Sequence, residues 1–234
     1  MECSIEGESR MKVLASDYDD TLATEGRISK AAMAALEQFR AEGNQVILVT
    51  GRILEDFYQV CPEVRVFDWI VAENGALLHH VHTQKTELLC DPISKREEQR
   101  LRATGIQDLE SGHVILSTSR HHLEKIDDWR VSVASQVQVI LNRQSVMILP
   151  FGVDKLTGLT HALRQIHYPI TEVVGFGDAE NDLSFLSHCK ERVAVQNAIE
   201  SVKKIATYVT QAQAGDGVAE FLQYYDLSQK NLRA

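Results

Sequence analysis

The residues best suited to chemistry are Asp17 and Asp19, in the run Asp17-Tyr18-Asp19-Asp20-Thr21 directly after the apolar stretch Met11-Lys12-Val13-Leu14-Ala15. Carboxylates two apart share a face in extended chain. At the carboxyl end of a buried strand they stand where open α/β sheets form ligand crevices. One can attack a substrate while the other handles a proton, and a nucleophilic aspartate splits phosphoryl transfer into two easier displacements. Three more clusters follow. Thr50-Gly51-Arg52 closes the apolar run 45–49 and offers a phosphate a hydroxyl and turn amides at a helix start. Lys155 opens an amphipathic stretch carrying Leu156, Leu159, Leu163 and Ile166. A lysine is unfavourable at the positive end of a helix dipole, which favours a functional role for it. Gly177-Asp178-Ala179-Glu180-Asn181-Asp182, after the apolar run 171–176, is an acidic turn suited to oxygen ligation of Mg²⁺.

Other readings of these residues fare worse. An EF-hand counted from Asp17 would need Gly and Glu where Leu22 and Ile28 stand. Gly175-x-Gly177 lacks the third glycine of a dinucleotide fingerprint, and no Walker A sequence occurs. Arg52 reads as an ion-pairing residue rather than a catalyst. His79, His80 and His82 read as a solvated strand edge, since no acidic or cysteine partner adjoins them. Arg120-His121-His122 reads as a surface turn, with substrate contact the alternative. Asp216 reads as a helix N-cap.

The elements that must hold these residues alternate between strand and helix at both ends of the chain, which predicts an α/β fold with a parallel sheet covered on both faces. Ser29 is the expected N-cap of a helix through Met33, Leu36 and Phe39, stopping near Gly43. Residues 69–72 form a third short strand, and Asn74-Gly75 a tight hairpin turn into 76–80. From about Thr83 the pattern changes: helix at 93–102, strand at 113–117, helix at 123–133, then strands 137–141 and 146–149 paired around Asn142-Arg143. This predicts an α+β unit, 83–149, inserted into an α/β core formed by 1–82 and 150–234. A strand at 192–195, a helix near 199–204 and a final helix carrying Val218, Phe221 and Leu222 complete the core.

The four motifs, in this order and spacing, resemble the haloacid dehalogenase (HAD) superfamily of phosphohydrolases across the whole chain. The Glu73-Asn74-Gly75-Ala76 turn and the long insert between Thr50 and Lys155 resemble its Cof-type branch, subfamily IIB with a C2B cap. The resemblance implies a Rossmann-like core with Asp17 as nucleophile, Asp19 as general acid/base, and Thr50 and Lys155 holding the phosphoryl group. It implies Mg²⁺ on Asp17, the Asp19 backbone carbonyl and Asp178, with Asp182 supporting the metal shell and Gly51 and Asn181 touching phosphate. Asp20 stands where the family often has Gly. The implied reaction is hydrolysis of a small phosphorylated metabolite, a sugar phosphate or phosphoglycolate, through an aspartyl-phosphate. A phosphomutase and a phosphate-ligand sensor without turnover remain alternatives. Arg120, His121, Asn142 and Arg143, in the expected cap, are candidates for selectivity.

At 234 residues, 44% hydrophobic and 24% charged, the chain has the composition of a globular protein with room for a core and a smaller domain. A formal charge of −9 argues against nucleic-acid binding. It does not exclude anionic substrates, whose local field comes from site cations and amides. Cys3, Cys61, Cys90 and Cys189 are scattered and predict reduced thiols. No apolar run reaches the ~18 residues of a membrane span, and the polar opening is unlike a signal peptide, so a cytoplasmic protein is expected. Oligomeric state is not legible.

Overall fold

The computed structural model describes residues 11–133 and 137–231; Cys3 and the acidic opening segment lie outside them. The chain begins with β1 (Val13–Ser16), a small ribbon of β2 (Ala23–Thr24) and β3 (Arg27–Ile28), α1 (Lys30–Ala41), β4 (Gln45–Val49) and α2 (Leu54–Val60). There follow β5 (Trp69–Ala72), β6 (Leu77–His80) and β7 (Lys85–Leu88). The insert holds α3 (Lys95–Arg102), β8 (Glu110–Ser111), β9 (Leu116–Ser119), α4 (Leu123–Val131), β10 (Val137–Asn142) and β11 (Ser145–Pro150). The chain returns through α5 (Lys155–Gln165), β12 (Val174–Gly177), α6 (Leu183–Leu186), β13 (Glu191–Ala194), α7 (Glu200–Ile205), β14 (Tyr208–Val209) and α8 (Ala214–Asn231).

The large sheet has eight strands in the order β14-β13-β12-β1-β4-β5-β6-β7, parallel from β14 to β5 and antiparallel from β5 to β7. All four residues of β1 are buried, as a strand covered on both faces requires. The chain leaves β1 for β4 on one side and returns to β12 on the other, so the strand order reverses at β1 and opens a crevice beyond its carboxyl end. Asp17 is the next residue. The insert carries its own four-stranded antiparallel sheet, β10-β11-β9-β8, with a separate apolar cluster including Leu101, Leu116, Ile126, Trp129 and Ile148. No helix among the described residues is long and apolar enough to cross a membrane.

Several expectations need correction. The 82/83 boundary falls inside a hairpin, because β7 bonds to β6 and prolongs the large sheet. β6 is therefore not an edge. His79 is buried, sharing hydrogen bonds of 2.8 Å with Tyr58 and with Thr86, while His82 faces Asp68. The β5–β6 connection is longer than Asn74-Gly75: residues 73–75 make a 3₁₀ turn with Glu73 and Asn74 at φ 51° and 53°. The strand expected at 113–117 begins only at Leu116, since the amides of 113–115 bond to a side chain instead. The last helix starts at Ala214, which puts Asp216 in its first turn, where a carboxylate still suits the dipole, and not at the cap. Cys61, Cys90 and Cys189 are free thiols.

Candidate active site

Every motif sits at the carboxyl edge of the parallel strands. β1 delivers Asp17, whose amide still donates to the Phe176 carbonyl of β12 at 3.1 Å. β4 ends at Val49 and delivers Thr50, which is buried; its hydroxyl oxygen accepts from the Arg52 amide at 3.1 Å as the chain turns toward α2. α5 starts at Lys155 because Asp154 caps it: the Asp154 carboxylate accepts from the Thr157 amide, and the Thr157 hydroxyl oxygen accepts from the Asp154 amide. The first side chain of that helix is turned inward and wholly buried.

There the Lys155 ammonium donates to Asp17 Oδ1 at 2.6 Å and to Asp182 Oδ1 at 2.7 Å. Asp182 is fully committed elsewhere too, since its Oδ2 accepts from the amides of Asp178 (2.8 Å) and Ala179 (3.0 Å). This close approach needs Gly177: a Cβ there would lie 2.7 Å from the Asp182 Cβ. Thr21, the last residue of the first motif, donates to Asp178 Oδ1 at 2.7 Å. Asp19 stands at the rim, partly exposed, with both carboxylate oxygens held at 2.7 Å by Arg52. Arg52 thus makes the ion pair expected of it, and the partner is the expected acid/base. Asn181 is buried, with its Nδ2 turned to Asn74 Oδ1 at 3.0 Å. Asn181 Oδ1 and Asn74 Nδ2 are buried without hydrogen-bond partners.

The carboxylates of Asp17, Asp178 and Asp182 offer oxygens within 4.8 Å of one another. Burial raises the Asp17 pKa well above the ordinary carboxylate value; Lys155 opposes this, and Asp182 and Asp178 add to it. Asp178 is raised by burial and by Asp182 in the same way, against the pull of Thr21 and Arg143. Burial pulls Lys155 down, but Asp17 and Asp182 outweigh it and hold the ammonium above its usual value. The site is a crowded anionic crevice with one buried cation. Asp182 is spent on Lys155 and two amides, so Asp17 and Asp178 are the carboxylates that could ligate a hard divalent cation, which at Asp178 Oδ2 would replace a guanidinium. In this structure the guanidinium on Asp178 Oδ2 is that of Arg143, with Nε at 3.0 Å.

Arg143 arrives from the insert, at the tip of the β10–β11 hairpin. Its amide donates to Glu180 Oε2 at 3.1 Å and its Nη2 to the Asn197 carbonyl at 3.3 Å. Asp20 faces it with Oδ2 3.8 Å from Nε. Asp20 has φ 59°, a left-handed conformation that glycine takes freely and aspartate tolerates, and its carbonyl accepts from Asn197 Nδ2 at 2.7 Å. Arg120 braces the tip, donating through its amide to Gln144 O and through Nη1 to Arg143 O. His122 pairs with Asp108 at 2.8 Å. The sequence reading missed Thr21, Asn74 and Asn197 at the site. Thr21 lies inside the first motif and Asn74 inside the Glu73-Asn74-Gly75-Ala76 turn, which signalled both positions without a role; nothing local signals Asn197.

A family model described as haloacid dehalogenase-like hydrolase matches residues 14–118 and 104–222. The phosphoglycolate phosphatase of Methanothermobacter thermautotrophicus is 30% identical over 230 residues, covering 92% of this chain and 99% of that protein. Phosphoglycolate phosphatase 2 of Saccharolobus solfataricus is 31% identical over 219 residues, 90% of each. A solved sugar phosphatase of HAD subclass IIB superposes with a TM-score of 0.73 at 18% identity, covering 92% of this chain and 99% of that one. By family match, relatives and fold together, the chain belongs to the haloacid dehalogenase-like hydrolases.

Proposed function

We propose that this protein is a Mg²⁺-dependent phosphomonoesterase acting on a small phosphorylated acid of the phosphoglycolate type, with Asp17 as nucleophile. The observation that carries the reading is the Asp17–Lys155–Asp182 chain at the switch point of the sheet, one buried cation held against the attacking carboxylate. Hydrolysis of phosphoric monoesters is also the activity named for the relatives. Asp17 attacks phosphorus as the ester oxygen leaves, and Asp19 gives that oxygen a proton. Asp19 then takes a proton from the water that cleaves the aspartyl-phosphate, which frees Asp17 and phosphate. Arg52 keeps Asp19 aimed from the rim. Lys155 and the Thr50-Gly51 turn offset charge on the transferring group, with Asn181 and Asn74 beside them. Asp17, Asp178 and the Asp19 carbonyl would hold Mg²⁺, which supplies further neutralisation of phosphate charge. Among the described residues, 91–133 and 137–150 act as a cap over a core of 11–90 and 151–231, and the guanidinium of Arg143 suits a leaving group that carries its own carboxylate.

Phosphate release from a panel of phosphorylated metabolites, with 2-phosphoglycolate and p-nitrophenyl phosphate included, tests this beside the Asp17→Asn variant. Release that needs Mg²⁺, stops with EDTA and disappears in the variant is expected. Release that persists in folded Asp17→Asn overturns the nucleophile.

A further inference from the structure

Glu73 is wholly buried although no lysine, arginine or metal ligand pairs with it among the described residues. Its carboxylate is spent on the insert. Oε1 accepts from the His113 amide at 2.9 Å, and Oε2 accepts from the amides of Val114 at 2.7 Å and Ile115 at 3.0 Å. Three successive N–H groups converging on one anion form a nest of the kind that binds phosphates, here filled by a side chain of the core. The fit is tight. A Cβ on Gly112 would lie 2.7 Å from the Glu73 Cδ, so the insert's backbone approaches as closely as glycine allows.

Glu73 is also tied to the site from behind. Its amide donates to the Arg52 carbonyl at 2.9 Å, the Asn74 amide donates to the Thr50 carbonyl at 2.9 Å, and Asn74 Oδ1 holds Asn181. A left-handed φ of 51° at a non-glycine residue costs energy, and here it turns the carboxylate out of the sheet toward the insert. On the insert side, the clamped turn runs straight into β9. That strand pairs with β11, and at its far end Ser119 stands opposite Ser145 and the Arg120 amide holds Gln144, beside Arg143. β9 is a strut about 13 Å long at roughly 3.3 Å per residue. It joins the Glu73 clamp to the hairpin tip over Asp178.

We propose that Glu73 is a positioning residue: its carboxylate locks the 113–115 turn onto the phosphate-binding turn and so sets where the Arg143 tip stands over the site. The inference rests on reading 91–150 as the cap. A slip of about 1 Å at a recognition group can cost on the order of 10²-fold in rate, so the clamp governs use of the leaving group rather than chemistry at phosphorus.

Two variants test it. Glu73→Gln keeps the volume but turns an N–H₂ toward backbone N–H donors; Gly112→Ala pushes on the same contact from the insert and leaves the carboxylate in place. Amide hydrogen exchange and steady-state kinetics are measured on both, with the best metabolite from the panel and with p-nitrophenyl phosphate. Exchange at 113–115 and at the 143–145 tip should rise about tenfold or more while exchange in β1 and β4 stays unchanged. KM for the metabolite should rise about tenfold, because only the fraction of molecules with a seated cap binds well, and kcat/KM for p-nitrophenyl phosphate should move less than about twofold. Equal losses on both substrates, or unchanged exchange at the tip in whichever variant folds, overturn the proposal. If the wild-type protein releases phosphate from nothing, the reading of function fails, and the exchange result alone decides the clamp.

Discussion

Replacing Lys155 with methionine probes the site most directly, because the side chain fills a closed space and carries a buried cation between Asp17 and Asp182. Lys155→Met keeps most of the volume and removes two charged hydrogen bonds of 2.6 and 2.7 Å. Breaking a buried ion pair from one side strands its partner and costs about 3–5 kcal/mol. At this chain length each kcal/mol moves the midpoint by about 2–4 °C, so the metal-free variant should melt about 6–20 °C below wild type near neutral pH. The pH dependence has a definite sign. Burial already holds Asp17 well above the ordinary carboxylate value, and loss of Lys155 raises it further. A carboxyl group whose folded pKa is raised is penalised when ionised, so stability is lost as pH rises from the unfolded pKa to the folded one and is fully recovered only below the unfolded pKa. The gap between variant and wild type should therefore narrow as the pH is lowered from mildly alkaline to mildly acidic. Thermal melts across that range, in EDTA, are the assay. Phosphate release by the variant should fall by about 10²–10³-fold, the usual cost of one charge-stabilising donor. A variant melting within about 2 °C of wild type, or a deficit independent of pH, would refute the buried-cation account.

Gly177→Ala should destabilise by about 1–3 kcal/mol, the range for overpacking, and weaken divalent-cation binding measured by calorimetry, since the added methyl strikes Asp182 where it orders the Asp178 amide. Normal cation affinity with a normal melt would count against that packing. Arg52→Ala should leave stability within about 1 kcal/mol, as half-exposed pairs contribute little. It should also lower kcat about tenfold or more by freeing Asp19; an unchanged pH–rate profile and kcat would show that Arg52 does not hold the acid/base.

The motifs were legible because catalytic groups in an α/β fold sit on the first residues past a buried strand, and both halves of that pattern are local. Met11 to Ala15 announces β1, 45–49 matches β4 to the residue, and Asp17, Thr50, Lys155, Asp178, Asn181 and Asp182 converge where those strands end. What was misread depended on partners distant in sequence. His79 looked solvated because β7, mostly polar and with all its side chains exposed, carries little apolar signal, yet it covers β6 by backbone bonding. The 113–115 segment looked like a strand because Val114, Ile115 and Leu116 form an apolar run, but the amides of 113–115 go to Glu73, about forty positions earlier. Asp20 looked like a departure from pattern until its left-handed backbone and the Arg143 guanidinium supplied the reason. By itself, the order of residues determined the core's strand–helix alternation and the chemical kinds of its candidate site groups, since hydrophobic period and turn composition act within a few positions. Only the tertiary structure decided that Arg52 grips Asp19, that Glu73 grips the insert and that Arg143 stands on Asp178, because a polar side chain's partner depends on where distant backbone is brought to meet it.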